Sequence, residues 1–234
     1  IPLTIHFIDT PGYGDELELL RSFNAIADEI DNRYEHAFAV ENALHRPDFH
    51  QRIDVLGVDA VLYFIAPHRF KGIDLEFLKV IQGRTSIIPI LAKADTMTEE
   101  ELSAFRSLVT TKLADAKIKY YRGPFAVISA PVYLENVTTP EGESSKLNSG
   151  RKYPWGVAES ENEKHSQLPA LRRCLVLDGL SDLQASTQEF YEEFRCKKLR
   201  YKRGLIGILR RIGVSVAQAL LLSRLMIRFQ GGGE

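Results

Sequence analysis

Ile87-Ile-Pro-Ile-Leu-Ala92, followed at once by Lys93-Ala94-Asp95, is the stretch on which the fold turns. It is apolar at every position from 87 to 92, without the polar alternation of a half-exposed strand. That pattern belongs to a strand covered on both faces of a parallel sheet. Working outward, three further apolar, β-branched runs lie at residues 3–8, 60–66 and 125–128. Helix-like segments separate them. Thr98 with Glu101 forms a capping box that predicts a helix toward Lys117, and Ser181 with Gln184 predicts another through Arg195. Alternating strands and helices predict a doubly wound α/β sheet, in which ligands bind at the carboxyl ends of strands. The polar, turn-rich segment 131–152 reads as a partly disordered loop.

The 234 residues are 44% hydrophobic and 26% charged, proportions that exclude a collagen-like, wholly disordered or disulfide-scaffold protein. Two cysteines, Cys174 and Cys196, cannot build a framework of bridges and favour a reducing compartment. The net charge of −1 hides two opposed parts. Residues 195–234 hold ten Lys and Arg against one acid, giving +9; residues 1–194 hold twenty against thirty, giving −10. The sequence opens at Ile1 in mid-pattern, without a signal-peptide pattern, and reads as a piece of something longer. The uncharged stretch 212–223 is twelve residues, short of the ~20 that span a bilayer, so the expectation is a soluble cytoplasmic protein. The six histidines show no metal-ligand spacing, and the sequon at Asn136 reads as chance.

Three strand ends carry chemistry. The first run leads into Asp9-Thr10-Pro11-Gly12-Tyr13-Gly14-Asp15. A carboxylate there can hold Mg²⁺ through water, and a glycine amide can approach a terminal phosphate without a Cβ in the way. Alone, this motif matches many ordinary turns. After the third run, Asp95 can accept two hydrogen bonds from guanine N1–H and its 2-amino group, donors that adenine lacks. At roughly 1.5–3 kcal/mol each, they discriminate a hundredfold or more. The stem of Lys93 can lie along the base, although the same tetrapeptide also suits a plain strand end with an N-cap. After the fourth run, a backbone amide at Ser129-Ala130 can meet the guanine O6, or Ser129 simply ends a strand. In order, each at a strand end, the three form a guanine-nucleotide site of the GTPase kind.

These residues, with Arg151-Lys-Tyr-Pro-Trp-Gly156 and the stretch 183–195 (LQASTQEFYEEFR), resemble the septin family over roughly residues 3–203. The resemblance implies a doubly wound, three-layer P-loop-GTPase-like sheet, here without the P-loop strand, and a C-terminal septin-specific helical and β element. It divides the chain into a partial G domain at 1–152, that element with its basic helix at 153–203, and an apolar, basic tail at 204–234. It implies GTP or GDP and Mg²⁺ as ligands: Asp9 near the metal, Gly12 near the terminal phosphate, Asp95 reading guanine, Lys93 flanking it, and Arg151 stacking on the base. Trp155 would belong to the interface at which two septins meet across their nucleotides, or else be a core aromatic.

Two departures stand out. No G-x-x-x-x-G-K-[ST] loop occurs in the 234 residues, so the segment alone is expected to bind GTP weakly and to be inactive, while the intact parent hydrolyses GTP. The loop 67–72 (PHRFKG) is shorter and more basic than the Gly-rich form common in the family, and suggests the algal type. In septins this loop faces the neighbour's nucleotide, so Arg69 becomes a candidate arginine finger in trans, with His68 and Lys71 as alternatives. A solvated basic loop is the plain alternative.

Arg195, Lys197, Lys198, Arg200, Lys202 and Arg203 place six cations in nine residues. They suit an anionic membrane at roughly 1 kcal/mol per charge, or a solvated helix face; nucleic acid has no supporting motif. Beyond them, Leu205, Leu209, Ile212, Val216, Ala219 and Met226 follow a coiled-coil-like spacing that Gly204, Gly207 and Gly213 weaken; an amphipathic membrane helix fits as well. The expected function is that of a GTP-binding cytoskeletal septin, assembling with itself or other septins into filaments at membranes or the septum during cell division. The alternative is a nucleotide-free septin-like scaffold.

Overall fold

The computed structural model describes residues 3–10, 19–42, 56–130, 132–139, 142–154 and 156–211. Its centre is a parallel three-stranded sheet of order β1 (Ala60–Ile65), β2 (Ser86–Ala92), β3 (Phe125–Val127). β2 is the middle strand, and its alternate residues feed two cores. Ile87 and Leu91 pack with Phe77, Leu78, Val109 and Leu113 on one face, and Ile88 and Ile90 pack with Val127 and Leu171 on the other. The uniformly apolar reading of residues 87–92 has this cause: both sides of β2 are covered.

Pro89 sits in this central strand without breaking it. β3 pairs only with Ile90–Ala92, so the missing N–H of Pro89 falls before that ladder begins. Gly123 lies across from it at φ +105°, where a Cβ would come within 2.9 Å of the Pro89 carbonyl oxygen. Only glycine fits that approach.

Helices α1 (Leu19–Glu41), α2 (Gly72–Ile81) and α3 (Glu99–Asp115) supply the larger core. α3 starts as the capping box predicts: the Glu101 N–H donates to Thr98 Oγ1 at 3.2 Å, and the Thr98 N–H donates to Glu101 Oε2 at 2.9 Å. α4 (Leu168–Val176) covers the other face through Leu171, and α5 (Leu180–Arg211) packs Tyr191 into the larger core.

Three expectations are corrected. Residues 3–10 form no strand, and Leu3, Ile5, Phe7 and Ile8 are 47%, 49%, 80% and 50% exposed. An apolar run becomes a strand only when a partner strand satisfies its backbone, and none of the described strands pairs with this one. The loop expected at 131–152 is instead a hairpin of β4 (Val132–Thr139) and β5 (Gly142–Tyr153), joined by β6 (Gly156–Glu159) in an antiparallel sheet. Its polar composition mimics a loop, but backbone pairing builds the hairpin, with Leu134 opposite Leu147 and Glu135 opposite Lys146 in register.

Ser181, third, is no N-cap. α5 begins at Leu180, with the Leu183 N–H donating to the Gly179 carbonyl at 2.9 Å. A Cβ on Gly179 would fall 2.1 Å from the Cys174 carbonyl oxygen, so this tight α4–α5 turn fixes where the helix starts. The helix then continues past Arg195 to Arg211, across the 203/204 division. Residues 212–234, with the rest of the coiled-coil-like spacing, lie outside the described residues.

Candidate functional site

The carboxyl end of β2 leads straight into Lys93, which takes a left-handed backbone at φ 51° and ψ 46°. A non-glycine residue there is strained, and such strain persists where surrounding contacts over-determine it. Here the Lys93 carbonyl accepts from the Thr96 N–H at 3.0 Å and from Thr96 Oγ1 at 2.8 Å. The resulting single 3-10 turn (Ala94–Thr96) buries Ala94 and turns Asp95 inward, leaving its side chain 1% exposed.

Two side chains of β5 reach that carboxylate. Arg151 and Tyr153, two apart on a strand, share a face. The Tyr153 hydroxyl donates to Asp95 Oδ2 at 2.5 Å, and Arg151 Nη1 lies 3.1 Å from the same oxygen. Arg151 Nη2 donates to the Ser129 carbonyl at 3.4 Å, which ties the end of β3 to the group. The Tyr153 hydroxyl and then the Asp95 carboxylate push the Arg151 guanidinium above its ordinary value. Asp95 Oδ1, by contrast, is buried with no hydrogen-bond partner among the described residues. A buried carboxylate oxygen left unfilled is costly and calls for a donor.

The structure therefore gathers Asp95, Arg151 and Ser129 and sets Lys93, exposed, at their edge. Tyr153 was missed as a site residue, and its spacing of two from Arg151 is the signal that would have found it. Ser166 and Gln167 were missed too. Ser166 Oγ accepts from the Ile128 N–H at 3.1 Å, and Gln167 Oε1 accepts from the Ala126 N–H at 2.8 Å. They pin the strand that carries Ser129, and no sequence pattern announces them.

Asp9 is exposed on the unpaired segment 3–10, and Gly12 and Trp155 lie outside the described residues. No group of three His, Cys, Asp or Glu gathers among the described residues.

The loop after β1 is built as a turn, with the Arg69 N–H donating to the Ala66 carbonyl at 3.1 Å and His68 left-handed at φ 54°. It is held against α3: the His68 ring centroid lies 6.0 Å from that of Phe105, and Lys112 Nζ donates to the Phe70 carbonyl at 3.0 Å. Asp74 closes the turn by accepting from the Lys71 N–H at 2.5 Å and the Tyr63 hydroxyl at 2.6 Å. Arg69 is exposed and its side chain has no partner among the described residues.

In the basic cluster, Lys197 pairs with Glu193 at 3.4 Å, and Lys198 meets Glu35 and lies over the Phe194 ring. Arg195 pairs with Glu192 at 2.9 Å and Glu41 at 3.5 Å. Arg200 has no acidic partner among the described residues, and the side chains of Lys202 and Arg203 lie outside them. No described helix is long and apolar enough to cross a membrane.

A parallel sheet covered by helices, with a buried carboxylate in the turn after its central strand, is the α/β arrangement of a P-loop-GTPase-like fold. The septin family model matches residues 1–124 and 122–206, and the chain belongs to the septin family. It is 32% identical over 239 residues to Septin-2B of Xenopus tropicalis, covering 94% of this chain and 65% of that protein. To Protein peanut of Drosophila melanogaster it is 31% identical over 223 residues, covering 85% of this chain and 39% of that one. The septin GTPase domain of Chlamydomonas reinhardtii superposes with a TM-score of 0.68 at 28% identity, over 80% of this chain and 73% of that one. The chain thus spans 39% to 65% of the length of these two sequence relatives.

Proposed function

We propose that this chain carries the guanine-reading and assembly part of a septin: a cytoskeletal GTPase that binds GTP and GDP, polymerises with itself or other septins through nucleotide-bearing interfaces, and serves cell division at the membrane or septum. The observation that carries this reading is Asp95, a 1%-exposed carboxylate with Oδ1 unfilled, at the carboxyl end of the central strand. Guanine presents two donors at one edge, N1–H and the 2-amino group; adenine presents an acceptor at N1. A buried carboxylate therefore favours guanine and leaves adenine unmatched. The planar guanidinium of Arg151 can stack on the base, the Lys93 stem can flank it, and a backbone amide after Ser129 can meet O6.

At native length the protein is expected to purify with GDP or GTP and no adenine nucleotide. Retention of guanine nucleotide by Asp95→Ala, or equal affinity for ADP and GDP, overturns the assignment. GTP hydrolysis is proposed for the intact protein, while residues 1–234 alone are expected to be inactive. Arg69 is proposed to reach the neighbour's phosphates in trans; turnover unchanged by Arg69→Ala in assembled protein contradicts that. For the membrane, Lys197, Lys198, Arg200, Lys202 and Arg203 are proposed to contact anionic lipid, tested by sedimentation with phosphatidylserine vesicles at low and high salt.

A second reading, a nucleotide-free scaffold using the same assembly surfaces, is favoured by Asp9 standing exposed on an unpaired segment. Filaments that form at native length without bound nucleotide would select it.

A further inference from the structure

Asp95 Oδ2 already carries two donors, Tyr153 Oη at 2.5 Å and Arg151 Nη1 at 3.1 Å, whereas Oδ1 carries none among the described residues. A carboxylate oxygen accepts about two hydrogen bonds, so Oδ2 is filled and Oδ1 is open. The two contacts on Oδ2 are not equal. The phenolic bond is at the short end for O–H···O⁻, the strong charge-assisted kind. The Arg151 contact is longer, its side chain is 36% exposed, and the Ser129 carbonyl offers its guanidinium a second acceptor at 3.4 Å.

We propose that Tyr153 is a specificity-determining positioning residue: its hydroxyl locks the Asp95 carboxylate in the rotation that presents Oδ1 to the base edge. The proposal rests on the reading of Asp95 as the guanine reader. A base edge with two donors takes Oδ1 and one position on Oδ2. Arg151 yields that position and is then free to lie over the ring, while the shorter Tyr153 bond stays. Without the hydroxyl, the carboxylate is held only by the contact that must give way. It can then rotate toward Arg151, and the two-point match to guanine is lost while a single bond survives.

The test compares GDP with inosine diphosphate, which lacks the 2-amino group, by titration calorimetry on the protein at native length. Wild type should prefer GDP. Tyr153→Phe, which removes one oxygen and keeps the ring, should weaken GDP about tenfold and inosine diphosphate about twofold, so that the preference falls about fivefold. A role confined to packing would weaken both nucleotides equally. An unchanged GDP-to-inosine-diphosphate ratio in Tyr153→Phe, together with loss of GDP in Asp95→Asn, overturns the role of Tyr153 and leaves Asp95 as the reader. Full GDP affinity in Asp95→Asn overturns the underlying reading itself.

Discussion

The proposed base side and the proposed phosphate side of this chain are built differently. On the base side, a strained left-handed lysine, a 3-10 turn and a strand pair hold Asp95 with its side chain 1% exposed, under donors at 2.5 and 3.1 Å. On the proposed phosphate side, Asp9 rides an unpaired segment whose Phe7 is 80% exposed, and the Arg69 side chain is exposed on its loop. The base side is complete within these residues because short-range turns and one hairpin build it. Asp9 follows a run that needs a strand partner, and none of the described strands pairs with it. The proposed base recognition and the proposed phosphate chemistry therefore rest on separate regions, and each proposal can be tested without the other.

The widest gap between the two sides should appear in stability. Ile90→Ala, at a fully buried position of β2, should cost about 2–5 kcal/mol in urea unfolding. Phe7→Ala should stay within about 0.5 kcal/mol. Equal costs would mean that residues 3–10 are packed after all, and the contrast would fail.

Next comes Arg151→Ala. Removing the proposed stacking cation should lower GDP affinity about five- to tenfold and leave GTP turnover per bound nucleotide unchanged, since Arg151 is proposed to act on the base side. A turnover defect at saturating GTP would erase the division between sides.

Smaller still is the contrast of two apparent caps. Thr98→Ala should destabilise by about 1 kcal/mol, because its hydroxyl accepts the Glu101 N–H at 3.2 Å. Ser181→Ala should change stability by no more than about 0.5 kcal/mol, since α5 starts before it. A ranking reversed in denaturant melts would contradict the turn at Gly179.

The last effect vanishes at neutral pH. Burial, reinforced by neighbouring acids, raises the Tyr34 and Tyr191 hydroxyls well above the ordinary tyrosine value. Their rings lie 5.9 Å apart where α1 meets α5. The folded state holds these protons more tightly than the unfolded chain, so the stability is fully present below about pH 10 and is lost as the pH climbs beyond it. Absorbance at 295 nm should show a late-ionising fraction of tyrosines that joins the rest on unfolding in urea. A single transition near pH 10 in the folded protein would contradict the burial.

Much of this was legible in the sequence, for identifiable reasons. The run at 87–92 announced a strand covered on both faces, and Thr98 with Glu101 announced α3, because each signal depends on neighbours within a few residues. Asp95 was legible as a site residue from its place at a strand end, Arg151 only through the septin resemblance, and Tyr153, beside them, was not picked out. Its role follows from a contact 58 positions away, made when β5 folds over the turn after β2. The hairpin at 132–153 was hidden because its polar residues mimic a loop when pairing is not visible. The strand expected at 3–8 failed for the opposite reason: its composition suits a strand, but strand formation requires an edge that composition does not report.

The central claim is that a preformed, buried carboxylate reads guanine. It is tested most directly by the GDP and ADP affinities of native-length wild type and Asp95→Ala, with circular dichroism to confirm the fold. The account predicts that wild type prefers GDP by a hundredfold or more, and that Asp95→Ala loses GDP affinity by about that factor while its weak ADP affinity hardly moves. Folded Asp95→Ala that still binds GDP as wild type does would contradict it.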